Sequence, residues 1–245
     1  MQRFSLFFLL ILLFTGAVSA QTNKQYTQAS ESDPEAKQIL ESIRKKYDGF
    51  STLAADFRLE LAFPGQPVEM QRGSVTRKGD LVRFKLGSQE GIINNDAAYI
   101  ILHGSNEVQI NDLPDPGETT GVLTPQNLFS FYEGDEYVLA MQGEENLKGR
   151  TLQVIEMKPV NRNESDFTKL RLLVDKRQRE IVSVKAFSRD GSSYTFFLDA
   201  TRGNEQLAEN NFTFNRAEFP GYHVEDLRFE VCTAESFASE RRRIV

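Results

Sequence analysis

Few residues in this chain combine type and spacing in a way that could do covalent chemistry. The two histidines stand apart: His103 lies beside a Gly104-Ser105 turn and His223 follows Pro220-Gly221-Tyr222. Neither has a metal-ligand partner at motif spacing, so both read as surface or turn residues. Asp112, Asp115 and Glu118 share one loop, but Pro114 and Pro116 break the oxygen-ligand spacing of a calcium loop, and the acids read as solvated. No G-x-S-x-G elbow, Gly-rich phosphate loop, H-E-x-x-H helix or paired-cysteine motif occurs. Asn163-Glu164-Ser165 and Asn211-Phe212-Thr213 match the glycosylation triplet, which has meaning only in a eukaryotic secretory route. Lone Cys232 cannot form an intramolecular disulfide, and no role is assigned to it. The expectation is a protein that is not an enzyme, with no metal and no cofactor.

The chemistry that remains is apolar binding. Thr124-Pro125-Gln126-Asn127-Leu128-Phe129-Ser130-Phe131-Tyr132-Glu133 reads as a short helix. Thr124 suits the N-cap, Pro125 the first helical position, and Gly134 the stop. At 3.6 residues per turn, Leu128, Phe129, Phe131 and Tyr132 fill one arc of roughly 160°. A helix this short falls below the roughly 12–15 residues that are marginal in water, so it exists only if that face docks on apolar partners. It reads as a cover.

The elements that must carry this cover are mostly strands. Residues 1–20 hold Arg3, an apolar run from Phe4 to Phe14, and Val18-Ser19-Ala20, the pattern of a cleavable secretory signal. Residues 21–32 read as a flexible polar leader. Asp33 as N-cap and Pro34 at the first helical position open an amphipathic helix that carries Ile39, Leu40, Ile43 and Tyr47 and stops near Gly49. From Leu53 the apolar period becomes two, with Phe57, Leu59, Leu61 and Phe63 in alternation, and similar segments recur to Ala200. Tight turns such as Lys78-Gly79-Asp80 and Arg189-Asp190-Gly191-Ser192 predict an antiparallel meander of about ten or eleven strands. The exception is 111–123, which has Pro114, Pro116, Gly117 and Gly121 and no periodicity, the profile of a functional loop or hinge.

The chain's 245 residues, 40% of them hydrophobic, suit one domain over 33–228, followed by a flexible extension at 229–245. The net charge of -6 becomes -7 once Arg3 is removed, with 28 basic against 35 acidic residues, and opposes binding to nucleic acid. One long and one short helix cannot carpet so many strands laid flat. The sheet must curl, which leaves room for a cavity.

Several short pieces in a fixed order resemble the LolA family of periplasmic lipoprotein carriers. They are Asn106-Glu107-Val108-Gln109-Ile110-Asn111-Asp112, Leu123 to Phe129 with Tyr132-Glu133, Leu172-Leu173-Val174-Asp175-Lys176 with Ile181-Val182, Phe212-Thr213-Phe214, and Pro220 to Asp226. The resemblance spans about Asp33 to Arg228. It implies a mainly β fold with few helices: an unclosed (half) antiparallel β-barrel of about 11 strands covered by a helical lid. It also implies a monomeric carrier in the periplasm that takes acylated lipoproteins from an inner-membrane ABC transporter and delivers them to an outer-membrane acceptor. On that frame Phe57, Leu59, Leu61, Phe84, Tyr99, Phe196 and Leu198 are expected to line the acyl-chain cavity, with Leu128, Phe129 and Tyr132 as lid. The family's lid-contacting arginine falls on Arg77 or Lys78, and a lysine there would replace a planar fork by a point charge. The alternative is a periplasmic lipid-sensing or scaffold module that binds lipid or a signalling protein without transferring it.

Overall fold

A computed structural model describes residues 28–113, 124–125, 127–132, 134–147, 149–163 and 165–228. The expected signal segment, most of the 111–123 hinge, Cys232 and the 229–245 extension lie outside the described residues.

The helix forms where the sequence signals it. α1 (Pro34–Asp48) is capped by the Asp33 carboxylate, which accepts from the Glu35 N–H at 2.8 Å, and proline occupies its first turn. Ala36, Ile39, Leu40, Ile43 and Tyr47 are its buried stripe. The strands follow as β1 (Leu53–Ala62), β2 (Glu69–Lys78), β3 (Leu81–Leu86), β4 (Gln89–Ile93), β5 (Ala98–Leu102), β6 (Glu107–Asn111), β7 (Tyr137–Leu147), β8 (Arg150–Pro159), β9 (Phe167–Asp175), β10 (Glu180–Ser188), β11 (Ser193–Gly203) and β12 (His223–Asp226). All belong to one sheet in the order β12-β6-β5-β4-β3-β2-β1-β11-β10-β9-β8-β7. The end strands β12 and β7 are not partners, so the barrel is unclosed.

This is the mainly β, open architecture the resemblance implies, with two differences. The sheet has twelve strands among the described residues, because β12 adds to β6 in parallel, His223 opposite Glu107 through Asp226 opposite Ile110. A four-residue strand with mostly exposed side chains carries no alternation, so its sequence gives no strand signal. The second difference lies between Thr124 and Tyr132, where the described residues form hydrogen-bonded turns and not a helix. Its start is nevertheless helical in chemistry: Asn127 N–H donates to Thr124 Oγ1 and Asn127 Oδ1 accepts from Thr124 N–H, a reciprocal capping box. Ser130 and Phe131 N–H groups then both point at Asn127 O, at 2.9 and 2.8 Å. A segment this short has no helical stability of its own, so its conformation is set by how 128, 129, 131 and 132 dock.

The sheet curves around α1. Its concave face, α1 and the 128–132 turns form one buried cluster, while a smaller cluster of Ile92, Ile101, Val108 and Phe219 sits on the other side of β4–β6. Two glycines help the curvature. Phe57 lies opposite Gly73 and Phe84 opposite Gly91, and in each pair the ring occupies the space a glycine Cβ would need.

Candidate functional site

The concave face is built by period-two alternation brought into register. β1 presents Phe57, Leu59 and Leu61, which pair with Leu198, Phe196 and Tyr194 of β11. The register slips once, at Asp56/Phe57, and the slip keeps all three pairs facing inward. Phe57 and Phe196 meet with centroids 5.4 Å apart. Phe84 joins from β3, and Leu61 and Leu198 lie partly buried at the edge of the same cluster. Of the seven cavity residues expected from sequence, these six share one face.

Tyr99 does not, and the expectation for it is corrected. In β5, Ala98 and Ile100 face the concave cluster, so Tyr99 and Ile101 must point the other way. Tyr99 stacks on Phe214 at 4.6 Å, under the segment that leads into β12. The alternation places it there as soon as Ala98 is placed; only the aromatic type suggests otherwise.

Leu128, Phe129 and Tyr132 are all buried in the concave cluster, and so is Phe131, the fourth member of the same apolar arc. Phe129 meets Tyr47 of α1 edge to face at 5.2 Å, and Phe131 meets Tyr132 the same way at 5.3 Å. The segment is therefore a plug: its backbone bonds described above are local, and side-chain burial ties it to the sheet. Tyr47, which the sequence presents as ordinary core, is the plug's seat. Its hydroxyl accepts from Ile181 N–H at 3.2 Å, and burial, reinforced by nearby Glu180 against that hydrogen bond, pushes the phenol up to about 12.

Beside the plug a cleft of about 430 Å³ opens between the start of α1, Tyr132 and β7. Leu40, Tyr132, Tyr137 and Leu139 give it an apolar floor, and Lys37, Glu41 and Arg44 stand along α1 at its side. Burial, with a smaller push from Glu136, also raises the Tyr137 phenol above its usual value. The β7 edge here is covered by the N-terminal segment, since Leu139 O accepts from Asp33 N–H and Leu139 N–H donates to Ser32 Oγ.

Arg77 and Lys78, the candidates for the expected lid-contacting cation, lie at the end of β2. Arg77 Nη2 lies 3.9 Å from Asp48 Oδ1 at the end of α1, and Lys78 is exposed beside the Gly79 turn. Both histidines belong to the C-terminal segment's attachment. His103 Nδ1 lies 2.9 Å from Tyr222 Oη, and Nε2 is 3.7 Å from the buried Glu90 carboxylate. His223 N–H donates to Asn106 O at the start of the β12–β6 pairing. Among the described residues no group of three or more His, Cys, Asp or Glu could hold a metal ion, and no helix is long and apolar enough to cross a membrane.

No family model matches the chain, and no curated protein matches it. Among solved structures it is similar to an uncharacterized conserved protein from Thermus thermophilus, at 13% identity over 78% of this chain and 99% of that one, with a TM-score of 0.51. It is also similar to LprF from Mycobacterium bovis, at 14% identity over 73% and 98% with a TM-score of 0.44. A LolA superfamily protein from Nitrosomonas europaea matches at 12% identity over 73% and 97%, with a TM-score of 0.38. The Thermus likeness is one of fold.

Proposed function

We propose that this chain is a periplasmic carrier that shields the acyl chains of lipoproteins and passes them on. The observation that carries the reading is the plug: four large apolar side chains, at 128, 129, 131 and 132, are buried in the concave cluster from a turn segment that side-chain burial ties to it. A cover of that kind can leave without dismantling the sheet, and an acyl chain can replace it with little net change in buried apolar area. In the plugged state these side chains occupy part of the concave cluster, so binding there requires their displacement, and the neighbouring cleft is the place where displacement can begin.

The energetics support exchange over deep insertion into an empty cavity. Exposing an acyl chain of about 16 carbons costs on the order of 10 kcal/mol, and three would exceed the affinity ceiling of roughly 18–21 kcal/mol if fully buried. Returning the plug offsets part of that gain, which keeps release possible. In this reading an inner-membrane ABC transporter loads the chain and an outer-membrane acceptor unloads it, with Phe57, Leu59, Leu61, Phe84, Phe196 and Leu198 holding the cargo and Arg77 or Lys78 tuning the lid.

The test incubates the mature protein with a native lipoprotein and its unacylated form, then adds acceptor membranes. Uptake and transfer of only the acylated form is the expected result. Equal uptake of both forms would overturn acyl recognition, and selective uptake without transfer would favour the sensing or scaffold role.

A further inference from the structure

The outer face of β8–β10 carries a charge arrangement that packing alone does not explain. Lys158 of β8 and Lys169 of β9 flank the Met157–Leu170 pair on the same side, and both reach one carboxylate, Glu156. Arg171 of β9 stands between Glu156 and Lys185 of β10, directly opposite each. Like charges in adjacent strand positions destabilise a sheet. Glu156 is the one acid among these positions, taking Lys169 Nζ at 2.8 Å and Lys158 Nζ at 3.2 Å; farther along the same side of β9, Asp175 pairs with Arg150 Nη2 at 2.8 Å. Phe187 adds a ring under Lys169 and Lys185, 5.1 and 5.3 Å from its centroid. The flanking positions are neutral: Val138 and Ala140 on β7 and Thr195 on β11, and the next acid inward is Glu60 of β1. Four cations thus surround one acid on a protein whose net charge is -6.

We propose that this face docks on the anionic headgroup plane of a phospholipid membrane. Charge complementarity identifies the partner as anionic, and the arrangement identifies it as a surface. Three of the four cations are lysines, flexible point charges spread over three strands, and the single guanidinium among them offers no paired fork to select one phosphate. In the β8–β9 connection beside them, Val160 is 42% exposed, an apolar contact suited to the same interface. The overall negative charge does not prevent this, because only charges within about 8 Å of the surface act at physiological salt. The inference is independent of acyl-chain carriage, since it concerns the outer face of the protein without cargo.

Flotation of cargo-free mature protein with vesicles tests it, using phosphatidylcholine alone or with roughly 30% phosphatidylglycerol. Binding is expected only to the anionic vesicles and is lost at about 0.5 M salt. R171E changes the face by two charges and is expected to cut partitioning at least about fivefold. The control R177E makes the same charge change in the exposed β9–β10 turn and is expected to bind as the parent does; circular dichroism checks that both fold. Equal binding to the two vesicle types, or equal losses in R171E and R177E, would overturn the proposal. Capture of soluble poly-glutamate without vesicle binding would reassign the face to an acidic protein partner. Because no lipoprotein is present, failure here leaves the transfer assay free to succeed, and the reverse holds too.

Discussion

At the scale of single residues, side-chain direction was legible wherever a strand alternated. Phe57, Leu59 and Phe196 fall on the concave face because period two puts them there. Tyr99 is the instructive departure, since choosing it for its aromatic type overrode the alternation that Ala98 and Ile100 define. Glu156 shows what no sequence reading supplies, because its partner Lys169 comes from another strand. Burial pushes its carboxyl up, but the hydrogen bonds and charges of Lys169 and Lys158 together hold it below its ordinary 4.5. The unfolded chain therefore takes up the proton first as pH falls. The stability Glu156 contributes is complete above about 4.5 and is lost as pH drops through its lowered folded value. Thermal melts from about pH 6 to about pH 3 should show E156Q with a flatter acid decline than the parent. A variant as acid-sensitive as the parent would remove Glu156 from that decline.

At the scale of elements, α1 and most strand positions follow from caps, stripes and turns. The plug does not, since its conformation is set by what it docks on. Its start at Thr124 and its apolar arc were readable, but its turn conformation and its seat on Tyr47 are tertiary facts. A separable plug and a core strand respond differently to the same deletion. Phe196→Ala, within β11, should cost about 3–5 kcal/mol in urea unfolding. Phe129→Ala should cost less than about 2 kcal/mol, because the segment can open locally and limit the loss. It should also speed amide exchange at 127–132 while leaving β10 amides slow. Equal costs for the two variants would make the plug part of the core. Replacing Phe129 and Tyr132 together by serine should then weaken retention of acylated cargo in a protein that remains folded, as read by cargo co-purification.

At the scale of the whole molecule, the open barrel was legible from the shortage of helices, while the covering of its second face was not. That face of β4–β6 is closed by 211–226, where Phe219 packs on Ile92, Ile101 and Val108, and Arg83 donates to Asn211 O at 3.0 Å. Ending the chain at residue 206 should bare this cluster and the β6 edge together, giving concentration-dependent association in light scattering. A monomeric, equally stable product would refute that role. The strand order has a further consequence. β1 to β6 and β7 to β11 are each meanders of sequence neighbours, and the seam between them joins Leu53 to Gly203 and Ala62 to Ser193, 150 and 131 positions apart. Such a seam loses its loop-closure entropy before any contact offsets the loss, so its pairing is expected to be the slow step of folding. The Phe57–Phe196 pair straddles that seam, so on the proposed reading the cargo surface comes into being only when the two halves of the chain meet, and a nascent molecule has no half-made binding face to fill prematurely.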